Sequence, residues 1–418
     1  MDSQGISQAL GLIHPITIVK GANAEVWDEH GKRYIDFIGG IGVLNCGHCH
    51  PKIVEAIQTQ ASLLTHYAFN AAHHTPYIEL MAQLLDYIPI QQPLAGMFTN
   101  SGAEAAENAL KVARIKTGRT GVIAFDGGFH GRTLATVNLN GKVAPYKDSL
   151  GALPGPVYHA PYPSKDNHIS TEYAQQAFER LFQVEVDVKN VAAVIFEPVQ
   201  GEGGFQLMNA DFAQYLRKFC NEHGILLIAD EIQSGFARTG TPFAFTHLGI
   251  EPDLLLLAKS IAGGMPLGAV VGLKEYMDYP IKGALGGTYS GNPVACAAGL
   301  ATLEIMQSAE FKASTDHYAK SIAASYEKWK KIEISPWLGR LTGVGAMRGI
   351  ELAHPERGAG GKLMPEVLKQ ARQKGLLLMP SGKSKNIIRL LTPLTITPDV
   401  LEEGLAILEA VLASTADL

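Results

Sequence analysis

The sequence predicts an α/β fold: a large domain built on a mostly parallel sheet covered by helices, with a smaller α+β domain assembled from both chain ends. Three observations carry this. Near-continuous apolar runs occur at 121–125, 192–196, 225–229 and 254–257, as in strands covered on both faces. Helical patterns alternate with them, as parallel connections require. Each run leads into polar residues: Phe129-His130 after the first, Glu197 after the second, Asp230-Glu231 after the third, Lys259 after the fourth. Open α/β sheets bind their ligands beyond the carboxyl ends of the strands.

In chain order, residues 16–37 read as short strands, with 26–27 and 34–37 flanking the turn Asp28-Glu29-His30-Gly31 in a hairpin. Glycines cluster at Gly39, Gly40 and Gly42. A helix is expected over 51–64, with Pro51 suited to its first turn. Another is expected over 105–114, capped by Ser101 or Asn100. From Phe311 onward the pattern is helix, short strands, helix, and 387–391 is an apolar strand interrupted by Arg389. At 418 residues the chain exceeds one compact core. The expected division is 1–49 and 311–418 for the small domain and 50–310 for the large one.

Composition narrows the function. Apolar residues make up 46% and charged residues 18%, with a formal net charge of -5, an ordinary globular balance. No basic stripe favours nucleic acid, and no lysine block favours an anionic membrane. The polar start lacks a signal-peptide pattern, and no apolar run is long enough to span a bilayer, so a cytoplasmic location is expected. The four cysteines are too few for a disulfide scaffold. Cys46-Gly47-His48-Cys49-His50 matches the letter of a haem-attachment pattern. Without an export signal, and with ligands too crowded for tetrahedral zinc, it reads as a tight loop before the helix at Pro51.

Several residues carry possible chemistry. Asn100-Ser101-Gly102-Ala103-Glu104 opens a helix. Free N–H groups and the helix dipole there favour an anion such as phosphate, although most capped helices bind nothing. Lys259 leaves a buried strand, where desolvation makes its amine a nucleophile; a lysine at a strand end equally well reaches solvent. Asp230 ends another strand and, if buried, needs a cationic partner. A protonated pyridine nitrogen serves, and so does the next turn's backbone. Phe129 can stack on such a ring. His130 is an ordinary structural histidine on its own evidence. Arg132 and Arg389 can hold carboxylates through paired hydrogen bonds.

Taken together these motifs are recognisable. With Glu197-Pro198-Val199-Gln200-Gly201-Glu202, Asp230-Glu231-Ile232-Gln233, Ala258-Lys259-Ser260 and Gly287-Thr288-Tyr289-Ser290-Gly291-Asn292-Pro293 in order, the chain resembles the class III, fold-type I aminotransferases, and within them the 4-aminobutyrate aminotransferases. The resemblance runs from Gly39 to Ile396. It implies pyridoxal 5'-phosphate held by Lys259 as a Schiff base, with Asp230 on the pyridine nitrogen. Gln233 would contact the ring hydroxyl, Phe129 would stack on the ring beside His130, and Gly102 and Ala103 would hold the phosphate. Thr288 would reach the neighbouring subunit's phosphate, which implies a homodimer with shared sites; a tetramer stays open.

The same resemblance implies how substrates are held. Arg132 would bind the distal carboxylate of the donor. Arg389 would bind the α-carboxylate of glutamate or 2-oxoglutarate, and Glu202 would neutralise Arg389 for donors without one. Ile41 matches the 4-aminobutyrate pattern, where ornithine-using relatives carry tyrosine. The expected reaction is 4-aminobutyrate plus 2-oxoglutarate to succinic semialdehyde plus glutamate. The alternatives are β-alanine, 5-aminovalerate, an acetylornithine or ornithine type, and a cofactor-binding regulator without turnover. Departures from the pattern fall at Asn70, Ile232, Tyr67, His73 and His74, and bear on the exact donor.

Overall fold

The computed structural model describes residues 5–417. It opens with β1 (Ile18–Ala22), β2 (Glu25–Asp28) and β3 (Arg33–Asp36), an antiparallel meander. The hairpin turn closes where expected. Asp28 Oδ1 accepts the N–H groups of His30 at 3.0 Å and Lys32 at 2.9 Å, the self-bonding that suits aspartate to turns. Helices α1 (Pro51–Leu63) and α2 (Thr75–Tyr87) follow, each with proline in its first turn. In the loop before α1, the His48 ring bonds Asp36 Oδ2 at 2.8 Å and the backbone of His48 bridges to Asn23.

The central part runs β4 (Leu94–Thr99), α3 (Gly102–Thr117), β5 (Gly121–Phe125), β6 (Val157–Ala160), α4 (Thr171–Val184), β7 (Val191–Phe196), α5 (Ala210–His223), β8 (Leu226–Asp230), β9 (Leu254–Leu257) and β10 (Gly268–Leu273). They form a sheet of order β4-β10-β9-β8-β7-β5-β6. The run β9-β8-β7-β5-β6 is parallel, and β10 lies antiparallel to both its neighbours. The four apolar runs read from the sequence are adjacent strands at its centre. The strands not read, β4, β6 and β10, lie outside them, and glycines dilute the apolar pattern of β4 and β10.

Burial explains why these runs hold together. Every residue of β5, β7, β8 and β9 is buried. Alternate side chains enter two cores: Val194, Leu227 and Leu255 face one, while Ala193, Ile228 and Leu256 pack with the alanine-rich face of α3 in the other. Burying one such aliphatic side chain contributes roughly 1.5–3 kcal/mol. α3 is longer than expected. Ser101 caps it by accepting the Glu104 N–H at 3.2 Å, and Gly118 ends it at φ +67°.

Beyond α6 (Pro293–Met306) and α7 (Ala309–Lys331), the chain forms β11 (Leu338–Val344), β12 (Met347–His354), α8 (Met364–Gln373), β13 (Leu376–Leu377), β14 (Met379–Ser381), β15 (Ile387–Leu390) and α9 (Pro398–Ser414). Strands β11-β12-β15-β14 make an antiparallel sheet, whereas β13 pairs in parallel with β3. Both ends of the chain thus share a sheet. Among the described residues, no helix is long and apolar enough to cross a membrane.

Candidate active site

Beyond the carboxyl ends of β7, β8 and β9 lies a cleft of about 540 Å³. It gathers Ile41, Gly102, Ala103, Phe129, His130, Arg132, Glu202, Asp230, Gln233 and Lys259. The parallel strands put Glu197, Asp230 and Lys259 side by side because each stands at the carboxyl end of its strand or just past it.

Lys259 opens a short 3-10 turn after β9, at φ +46°. A left-handed backbone is strained for a residue with a Cβ and persists where the surroundings impose it. Burial is the largest influence on its ammonium and holds it below the ordinary lysine range, against the pull of Asp230 and Glu197. A neutral, nucleophilic amine is favoured.

Asp230 is 3% exposed. Its Oδ2 accepts the Nδ1–H of His130 at 2.7 Å and its Oδ1 the N–H of Ile232 at 3.1 Å. Burial alone would lower the His130 pKa; the bond to Asp230, its charge and that of Glu197 outweigh it, so the imidazole is raised. Glu197 accepts the N–H groups of Phe129 at 2.9 Å and Gly201 at 3.1 Å. Burial chiefly raises its carboxyl, against the charge of His130 and those two bonds. Acidic groups thus cluster where a cationic ring or amine is to sit.

On another side, α3 points its N-terminus into the cleft through Gly102 and Ala103. The first N–H groups of a helix have no intrahelical partner. A Cβ on Gly102 would fall 2.6 Å from Ile232 Cδ1, so glycine and isoleucine are fitted to each other there. Gln233 holds a buried Oε1 without a hydrogen-bond partner.

The remaining wall comes from the C-terminal sheet. Arg389, on β15, is 2% exposed. Its Nη2 pairs with Glu202 Oε1, its Nε–H donates to Pro380 O at 2.9 Å, and its Nη1 has no partner. Arg132 is exposed; its guanidinium lies over Tyr146 at 5.3 Å and more distantly over Phe129 at 6.0 Å. Ile41 borders the cleft within the glycine cluster, at φ +64°.

Several of the residues singled out in the sequence lie outside this chain's own cleft. Thr288 is exposed and does not line this chain's cleft. Asn70 borders a separate cavity of about 150 Å³ and lies against Gly286, on the loop that carries Thr288. Tyr67, His73 and His74 do not line the cleft either; His73 stacks on Phe69 and His74 packs edge-on to it. Conversely, Glu197 and Tyr146 belong to the site without having been assigned a role. Glu197 had the signal that marked Asp230, a carboxylate at a strand end. Tyr146 had none, since a long loop delivers it.

Fold and cleft together define a pyridoxal-phosphate-dependent transferase. The family model for class-III aminotransferases matches residues 7–412. The chain is 64% identical over 413 residues to a 2-aminoadipate transaminase of Pseudomonas putida, covering 99% of each. It is 43% identical over 408 residues to the 4-aminobutyrate aminotransferase of Escherichia coli, covering 97% of this chain and 95% of that one. An amine transaminase from an uncultivated Pseudomonas species, solved in its PLP-bound form, superposes with a TM-score of 0.86 at 30% identity, over 96% of this chain and 95% of that one. The chain belongs to the class III aminotransferases, and its cofactor is pyridoxal phosphate.

Proposed function

We propose that this enzyme transfers the amino group of 2-aminoadipate to 2-oxoglutarate, giving 2-oxoadipate and glutamate. The carrying observation is Arg389: buried, paired with the partly exposed Glu202, and with Nη1 unpartnered. A buried donor left without an acceptor is costly, so the free Nη1 favours an incoming α-carboxylate that would displace Glu202. Arg132 is free to take a distal carboxylate. Both substrates carry both groups, and the Pseudomonas putida relative supports the donor.

The residues fit pyridoxal phosphate. The unsatisfied start of α3 suits its phosphate, Phe129 its ring face, and Asp230, backed by His130, its protonated ring nitrogen. The unpaired Gln233 amide suits the ring hydroxyl, and Lys259 the aldehyde. When bound, the cofactor supplies an electron sink for the carbon that bears the amine. The chain's share is then proton and charge management. Asp230 holds positive charge at the ring nitrogen. Lys259 Nζ would take the proton from the amine-bearing carbon and return it to the carbon on the other side of the transferred nitrogen. Arg389 and Arg132 fix the substrate so that this C–H bond faces Nζ.

A second reading is 4-aminobutyrate as donor. The Arg389–Glu202 pair favours it, because Glu202 neutralises Arg389 when no α-carboxylate arrives. Ile41 leaves no phenol for an ornithine amine. The shared-site homodimer, with Thr288 at the neighbour's phosphate, belongs to the same proposal. Glutamate formation by the purified holoenzyme is measured with 2-aminoadipate, 4-aminobutyrate, 5-aminovalerate and ornithine as donors. The highest kcat/KM is expected for 2-aminoadipate. A clear preference for 4-aminobutyrate would select the second reading, and a preference for ornithine would exclude both.

A further inference from the structure

Tyr146 touches both carboxylate-handling groups of the cleft. Its hydroxyl donates to Glu202 Oε2 at 3.4 Å, while Glu202 Oε1 is held by Arg389. Its ring lies under the Arg132 guanidinium at 5.3 Å and meets Phe129 at 5.1 Å. Lys142 lies within electrostatic reach of Glu202 and Arg389.

A hydroxyl–carboxylate bond normally settles at 2.5–3.0 Å. The Tyr146–Glu202 bond is therefore slack while Glu202 leans on Arg389. When an α-carboxylate takes Arg389, the Glu202 carboxylate must find other partners, because a charge left bare in a cleft wall is costly. Tyr146 already holds the second oxygen, and pivoting about it shortens that bond.

We infer that Tyr146 is a positioning residue that receives Glu202 when a substrate α-carboxylate displaces it, and so sets the discrimination between substrates with and without that group. This rests on the proposed role of Arg389. Because the bond tightens only in the displaced state, losing it penalises α-carboxylate substrates alone.

The test is Tyr146→Phe in the holoenzyme, which keeps the ring under Arg132. KM for 2-oxoglutarate and for 2-aminoadipate should rise about tenfold, the effect of one hydrogen bond to a charged group. kcat should hold, as should KM for 4-aminobutyrate, or its inhibition constant if it does not turn over. Glutarate, a dicarboxylate that cannot react, should bind about tenfold more weakly by calorimetry. In a Glu202→Gln background, Tyr146→Phe should have no further effect. Unchanged KM for 2-oxoglutarate, an equal rise for 4-aminobutyrate, or the full effect persisting beside Glu202→Gln would each overturn the inference. Arg389→Ala separates the failures. If it spares the 2-oxoglutarate KM, the reading of Arg389 falls and this one with it; if it raises that KM while Tyr146→Phe does not, only the role of Tyr146 falls.

Discussion

At the scale of single residues, Lys259 and Asp230 were legible because charge at the end of an apolar strand is expensive and therefore conspicuous. Lys259→Ala should abolish transamination in a steady-state assay; full turnover would remove Lys259 from the chemistry. Arg389→Ala should damage the half-reaction with 2-oxoglutarate more than that with 4-aminobutyrate, measured as separate single-turnover rates, and equal losses would sink the displacement of Glu202. Glu231 gives a pH prediction. Its carboxylate accepts the Ser234 hydroxyl at 2.6 Å and the Phe245 N–H at 2.7 Å, yet burial pushes it up to about 7. A raised folded pKa means that its contribution is complete below about 4.5 and is lost as pH rises through about 7. That loss amounts to about 3 kcal/mol. Glu231→Gln should flatten this part of the pH–stability curve of the cofactor-free protein, read from denaturation midpoints; an unchanged slope would assign it to other groups. The Glu202–Arg389 pair was implied by the resemblance and is present, whereas Tyr146 carried no signal, since a long loop delivers it.

At the scale of elements, the central strands and the capped helix could be read because period and capping are local. The Ser101 cap should contribute about 1 kcal/mol, so Ser101→Ala should lower the thermal midpoint of the cofactor-free protein; no change would mean that Asn100 and Glu104, which bond each other, suffice. The glycine cluster was visible, but its reason was not. Gly39 sits at φ +52°, and a Cβ there would fall 2.2 Å from the Leu391 carbonyl oxygen. The Leu391 N–H in turn donates to Phe37 at 2.9 Å. Gly39→Ala should therefore push away the strand end beside Arg389 and raise KM for 2-oxoglutarate more than it lowers kcat. An unaltered KM would show that the contact is absorbed elsewhere. β6 and β10 escaped because outer strands, and strands that contain glycine, lack the continuous apolar signal of central ones.

At the scale of the whole molecule, the sequence pattern identified the parallel centre of the sheet. The antiparallel β10 inserted between β4 and β9 depends on long-range pairing that no local pattern encodes. The exposed Thr288, with Asn70 packed behind its loop, leads to a prediction for the assembly: Thr288→Ala should weaken cofactor affinity while leaving sedimentation unchanged. A monomer with full activity would refute the shared site. Exposed apolar side chains such as Leu63, Tyr289 and Ile281 fit a covered surface of this kind.

The parallel pairing of β3 with β13 also has a consequence in time. Ile35 and Asp36 are made long before their partners Leu376 and Leu377. Closing so long a loop costs entropy before any contact repays it. Strand β3 therefore waits with an edge unpaired while everything between the two is synthesised, the state most open to wrong partners. The reactive lysine is completed long before the arginine on β15 that is proposed to select what reaches it. A nascent chain halted between the two would carry the lysine without the arginine or the sheet that holds it.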